Sequence, residues 1–135
     1  PWLAGLFPRR PPTPEIVQLI RVVAADPWLL ALWLGPVVWL GVAAFEELWR
    51  VFVLHRLWSL FPGRAGAWSA VLVVSVLIGF AHGYQGPAGG VSIAVKSVLM
   101  GAYFMKARRL VPLIVAHAVY DSVQIAMAAW ALRGH

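Results

Sequence analysis

Two adjacent carboxylates, Glu46 and Glu47, lie inside a long apolar run of this 135-residue chain, and Arg50 follows them. Ionisable groups at membrane depth are costly to bury, so they mark functional sites and need partners. Residues three and four apart lie on one helix face, which lets Arg50 pair with either acid. A carboxylate shielded from bulk water can accept a proton from a water molecule, as hydrolysis requires. A purely structural ion pair is the alternative.

His82 is expected to meet the acidic pair. Glu46 lies 15 residues before Phe61, and His82 lies 15 residues after Ala67. At about 1.5 Å per residue, each is roughly 22 Å from the loop that joins the two predicted helices. An imidazole at this depth can help a carboxylate to activate water. The alternative is a histidine at a helix end, bonded to a backbone carbonyl.

His117 and Asp121 are four residues apart and therefore share a helix face. Counted from Leu110, they are roughly 10 and 16 Å deep, so they reach the other groups only if their helix is kinked or shifted. An imidazole with a hydrogen-bonded partner can stabilise a developing oxyanion. An interhelical polar clamp is the alternative use of this pair.

The composition predicts an integral membrane protein and argues against a soluble all-α protein. The chain is 61% hydrophobic, has a mean hydropathy of +0.79 and contains eight Trp, which suit interfacial positions. The net charge of +6 comes from Lys and Arg placed between apolar runs, which is typical of topology signals and not of nucleic-acid binding. There is no Cys, so disulfides and thiolate metal sites are excluded.

The apolar runs predict an all-α fold, a polytopic membrane helix bundle of about four spanning helices plus an N-terminal amphipathic helix. Residues 1–27 form a Pro/Arg-rich segment with that amphipathic helix at 14–25, and residues 28–135 form the core. A break at Gly35-Pro36 and a turn at residues 86–90 separate the helical runs. The predicted runs are 28–35, 37–61, 67–85, 91–105 and 110–132. The first residue is Pro1, so we expect a fragment or a processed chain.

Two basic loops set the expected orientation. The loop around Arg64 and the loop at 106–109 are separated by two spans, so they lie on the same side of the membrane. The positive-inside rule places both on the cytoplasmic side. We expect the bacterial cytoplasmic membrane as the location.

The polar motifs resemble those of the CPBP family of intramembrane proteases, which process CAAX proteins and bacteriocins and are also called Abi proteins. That family has EExxxR, FxxxH and HxxxD or HxxxN on successive membrane helices. The corresponding runs here are Glu46-Glu47-Leu48-Trp49-Arg50, Ile78-Gly79-Phe80-Ala81-His82 and His117-Ala118-Val119-Tyr120-Asp121. The resemblance covers residues 37–130 and includes a run like HxYQGxxG that begins at His82. Arg50 follows the pair one residue early, and Ile78 stands in place of Phe.

The resemblance implies an endopeptidase that hydrolyses a peptide bond of a membrane-associated substrate with Glu/His-activated water. The substrate would be a prenylated CAAX-type tail or a leader peptide, with the lipid bilayer as surroundings and no nucleic acid as partner. A catalytically inactive membrane scaffold or immunity protein of the same fold is the alternative.

The resemblance also implies the role of each site residue. Glu46 or Glu47, with His82, would activate water, while His117 and Asp121 would stabilise the oxyanion and Arg50 would support the acids. The early Arg50 leaves open which glutamate is the base, and we favour Glu46. We expect no cofactor; if a divalent metal such as Zn²⁺ is bound, the expected ligands are Glu46, His82 and His117.

Overall fold

The computed structural model describes residues 14–133, and within that range every regular element is helical. The helices are α1 (Pro14–Ala25), α2 (Pro27–Leu32), α3 (Trp33–Ala44), α4 (Phe45–Leu60), α5 (Arg64–Ala81), α6 (Gly86–Ala107) and α7 (Val111–Arg133). Four runs are long and apolar enough to cross a membrane: Pro27–Leu60, Arg64–Ala81, Gly83–Ala107 and Val111–Leu132. The predicted all-α membrane bundle with an N-terminal helix is therefore confirmed.

The break predicted at Gly35-Pro36 lies inside α3, which has the wide turns of a π-helix. Gly35 has non-helical backbone angles, with φ −96° and ψ −109°. Because Pro36 has no N–H, the helical ladder is interrupted at this point. The carbonyl oxygen of Leu34 instead accepts a hydrogen bond from the hydroxyl of Ser122 at 3.4 Å. The side-chain donor gives this backbone carbonyl a hydrogen bond that the hydrocarbon of a lipid cannot provide.

The predicted turn at residues 86–90 is wrong, because α6 already begins at Gly86. The chain reverses over the short 3₁₀ turn Gly83–Gln85, and Gly86 takes the positive φ of 83° that ends it. Pro87 then occupies the first turn of α6. Proline is tolerated there because the N–H groups of a first turn have no hydrogen-bond partner within the helix. The Gly/Pro run is thus a helix start, and α6 is longer than the predicted span.

The described residues divide into two compact units. We call residues 49–109 the central unit, and residues 14–48 with 110–133 the terminal unit. In the terminal unit, α7 packs against α1 and α3. The core between α3 and α7 is formed by Val38, Ala43 and Ala118, with Ile114 and Ile125 beside them. The predicted division after residue 27 stays a prediction.

The central unit is built on the antiparallel pair α5 and α6, whose backbones approach closely. A Cβ at Gly79 would lie 2.8 Å from the Cβ of Ala94 and 2.9 Å from the carbonyl oxygen of Gly90. Small residues permit this close contact. In lipid the hydrophobic effect does not drive helices together, so their association depends on such close packing.

Gly79→Ala is therefore expected to lower the free energy of unfolding by about 1–3 kcal/mol, since the extra methyl group overpacks the interface. Thermal unfolding in detergent measures the effect. Gly83→Ala is the matched control, because a Cβ there meets nothing within 4 Å. Equal unfolding temperatures for the two variants would contradict the close approach.

Candidate active site

The acidic pair lies at the start of α4, directly after the wide turns of α3. Helical segments of π type occur often at functional sites, because they displace side chains from the regular helical positions. Glu47 is fully buried, with 0% of its surface exposed, whereas Glu46 is half-buried. The two adjacent carboxylates therefore occupy different environments.

Glu47 is hydrogen-bonded to His117 inside the terminal unit. The Oε1 atom of Glu47 lies 2.7 Å from Nδ1 of His117, and only 3% of the histidine side chain is exposed. This short contact between two buried groups joins α4 to α7 across 70 positions of the chain. The structure thus brings together one predicted glutamate and the predicted histidine of the last helix.

The other ring nitrogen of His117 faces Asp121. Its Nε2 atom lies 3.3 Å from Oδ2 of Asp121, whose side chain is 25% exposed. An imidazole between two carboxylates satisfies both contacts only when the chain of three groups holds two protons: both on the ring, or one on the ring and one on an acid. The longer contact to Asp121 is the weaker of the two. The predicted pairing of these residues on one helix face is seen in the structure.

Glu46, Glu47 and His117 also form a candidate metal-binding group, since their ligand atoms all lie within 4.8 Å of one another. Two carboxylates and an imidazole match the three-ligand pattern of catalytic zinc. With bonds of about 2.0–2.2 Å, however, two ligands of tetrahedral zinc are separated by about 3.3 Å. The 2.7 Å contact between Glu47 and His117 has the length of a hydrogen bond instead. The donors suit a metal, and this contact would have to open to admit one.

His82 belongs to the central unit and lies just after the last residue of α5. Its Nδ1 atom is 2.9 Å from the carbonyl oxygen of Ile78. Because a carbonyl can only accept, Nδ1 is the donor in this contact. The contact expected of a helix-end histidine is therefore present.

Arg50 also belongs to the central unit and is buried, with 1% of its surface exposed. Its Nη1 atom donates to Sδ of Met100 on α6 at 3.1 Å. This contact could not be predicted from the sequence, because a methionine in an apolar helix is indistinguishable from an ordinary core residue. The same holds for Ser122, whose bond to Leu34 depends on the broken ladder of α3.

Comparison with known families relates this chain to a family of proteases. The family model described as type II CAAX prenyl endopeptidase, Rce1-like, matches residues 27–123 of the chain. Neither the curated proteins nor the solved structures gave a match. The matched residues contain all of the polar motifs described above.

Proposed function

This chain belongs to the Rce1-like family of type II CAAX prenyl endopeptidases, and we propose that it is an intramembrane endopeptidase that uses a glutamate-activated water. A protease activity follows from the family, and four apolar helices make the chain an integral membrane protein. The observation that carries the proposed mechanism is the buried contact between Glu47 and His117 beside the more exposed Glu46.

The different exposure of the two glutamates assigns them different roles in this proposal. Glu47 is fully buried and bonded to His117, so it holds the imidazole in place. Glu46 is adjacent and half-buried, so in this proposal its carboxylate is the one that meets the water. Glu46 is therefore the proposed general base, with its ligand atom in the same group as that of His117.

In the proposed reaction Glu46 takes one proton from water while the water oxygen attacks the carbonyl carbon of the scissile peptide bond. The carbonyl oxygen becomes an oxyanion, which is stabilised by a protonated His117. His117 exchanges its weaker contact with Asp121 for the oxyanion and keeps its bond to Glu47. Glu46 then gives the proton to the leaving nitrogen as the C–N bond breaks, leaving a carboxylic acid and an amine.

The proposed substrate is the C-terminal tail of a prenylated CAAX-type protein, in keeping with the description of the matched family. A leader peptide of a membrane-associated precursor is the second candidate substrate, and it would be cleaved by the same chemistry. The part of His82 in the activation of water stays a prediction. The proposed location is the bacterial cytoplasmic membrane.

The proposal is tested with the full chain in liposomes and a farnesylated peptide ending in a CAAX sequence. Release of the three-residue product, identified by mass spectrometry, is the expected result. The unprenylated peptide is the control for recognition of the lipid. A folded chain that cleaves neither a prenylated tail nor a leader peptide would instead fit an inactive scaffold or immunity protein.

Removal of divalent metal is expected to leave the rate of hydrolysis unchanged, because the proposed chemistry uses only protein groups. The measurement is cleavage before and after treatment with a zinc chelator, followed by dialysis. A loss of activity that added Zn²⁺ restores would show that hydrolysis depends on a metal, for which Glu46, Glu47 and His117 are the candidate ligands. In that case the metal would supply the activated water.

A further inference from the structure

One end of the central unit carries a cluster of exposed cations. The segment 49–109 contains no Asp or Glu, so it supplies no carboxylate to balance its Lys and Arg. Five of those cations are exposed and lie at or near helix ends. We call them the basic cluster: Arg56, Arg64, Lys106, Arg108 and Arg109.

The helix directions bring this cluster to one end of the unit. α4 ends four residues before Arg64, where α5 begins, and α6 runs antiparallel to α5 and ends at Ala107. Trp58 connects these ends. Its ring lies 4.3 Å from Cζ of Arg108, and its Nε1 atom donates to the carbonyl oxygen of Gly63 at 3.1 Å. A single tryptophan thus fixes Arg108 next to the loop that precedes Arg64.

The backbone of Arg108 indicates that its side chain has a role. Arg108 caps α6 in the left-handed conformation, with φ 53° and ψ 30°, and it is the only non-glycine residue with positive φ among residues 14–133. Glycine takes this conformation at helix ends without steric cost, whereas residues with a Cβ do not. For ending the helix alone, glycine would therefore be the more favourable residue at this position. The guanidinium group held over Trp58 is what the arginine adds.

We propose that the basic cluster is a binding site for the phosphate groups of anionic lipid headgroups. Arginine binds phosphate oxygens through two parallel N–H donors, and tryptophan lies at the headgroup level of a bilayer. The positive-inside rule places this end at the cytoplasmic leaflet, where anionic lipids attract basic segments next to membrane helices. The occupant is a lipid because the cluster lies at the ends of membrane-spanning helices.

The experiment uses the full chain in nanodiscs of equal phosphatidylglycerol and phosphatidylcholine, followed by native mass spectrometry of the lipids that remain bound. The wild-type chain is expected to retain phosphatidylglycerol preferentially. Arg108→Gly removes the cation at a position where glycine is conformationally favoured, so the fold is kept. In this variant the preference for phosphatidylglycerol over phosphatidylcholine is expected to fall about fivefold, which is the contribution of one cation near an anionic lipid surface.

Arg64→Gln is expected to give a similar loss, and Arg21→Gln is the matched control, because Arg21 is exposed on α1 outside the cluster. Thermal unfolding in pure phosphatidylcholine should show that Arg108→Gly remains folded. The proposal is overturned if the wild-type chain shows no lipid preference, as a pure topology signal would predict, or if Arg108→Gly retains it in full. It is also overturned if an acidic peptide binds the cluster while phosphatidylglycerol does not.

Discussion

Glu46→Gln is expected to lower the rate of peptide hydrolysis by about 10²–10⁴-fold, the usual contribution of a general base. Glutamine keeps the size of the side chain and can still form hydrogen bonds, but it cannot take a proton from water. The measurement is kcat for the farnesylated peptide in liposomes. Binding should change little, because the substitution removes an interaction made only in the transition state.

Glu15→Gln is the control for this substitution, because it removes an exposed carboxylate of α1 that is not one of the proposed site residues. Its rate should equal that of the unmodified chain. Glu47→Gln provides the decisive comparison between the adjacent acids. If Glu47→Gln loses the chemistry while Glu46→Gln keeps it, the roles of the two glutamates are reversed. If both variants hydrolyse the peptide normally, the proposed mechanism is wrong.

Glu47→Ala is expected to lower the free energy of unfolding by about 3–5 kcal/mol. This is the usual cost of removing one partner of a buried pair of ionisable groups while the other partner stays buried. The reason is the 2.7 Å hydrogen bond between Glu47 and His117, which is lost in a site where both side chains are almost completely shielded. Equilibrium unfolding in mixed micelles of increasing SDS content measures the change. Glu46→Ala should cost less, because Glu46 is half-buried.

A double variant separates the stability of this pair from its role in the reaction. Replacing both groups by apolar residues, as Glu47→Met with His117→Leu, is expected to recover much of the lost stability, because apolar substitutes often equal a buried ion pair. The same double variant should have no activity. A double variant that is as unstable as the sum of its single changes would show that the two side chains act independently.

The apolar runs were sufficient to predict the class of the fold and the number of helical runs that are long and apolar enough to cross a membrane. They were also sufficient to place His117 with Asp121, because a spacing of four is a local property of a helix. The start of α6 was not predictable in the same way, since Gly86 and Pro87 are typical both of turns and of helix starts. Which of these forms depends on the reversal at Gly83–Gln85 and on packing against α5.

The sequence could not assign the environments of Glu46 and Glu47. Adjacent residues point about 100° apart on a helix, so only one can face a given neighbour. In a run that is apolar on all sides, no stripe of polar residues marks the outer face. The broken turn at Gly35 further changes the angular position of the residues that follow it. The burial of Glu47 therefore became evident only from the packed helices.

The bond between Glu47 and His117 also affects how α7 is set about its own axis. Apolar residues are spread around the whole circumference of this helix, and lipid solvates every apolar face about equally well. Hydrophobicity therefore favours no single rotation of α7. Its rotational setting depends on its few directional contacts, which include those of His117 with Glu47 and of Ser122 with the carbonyl of Leu34. The contacts of the candidate active site thus also help to hold α7 at one rotation about its own axis.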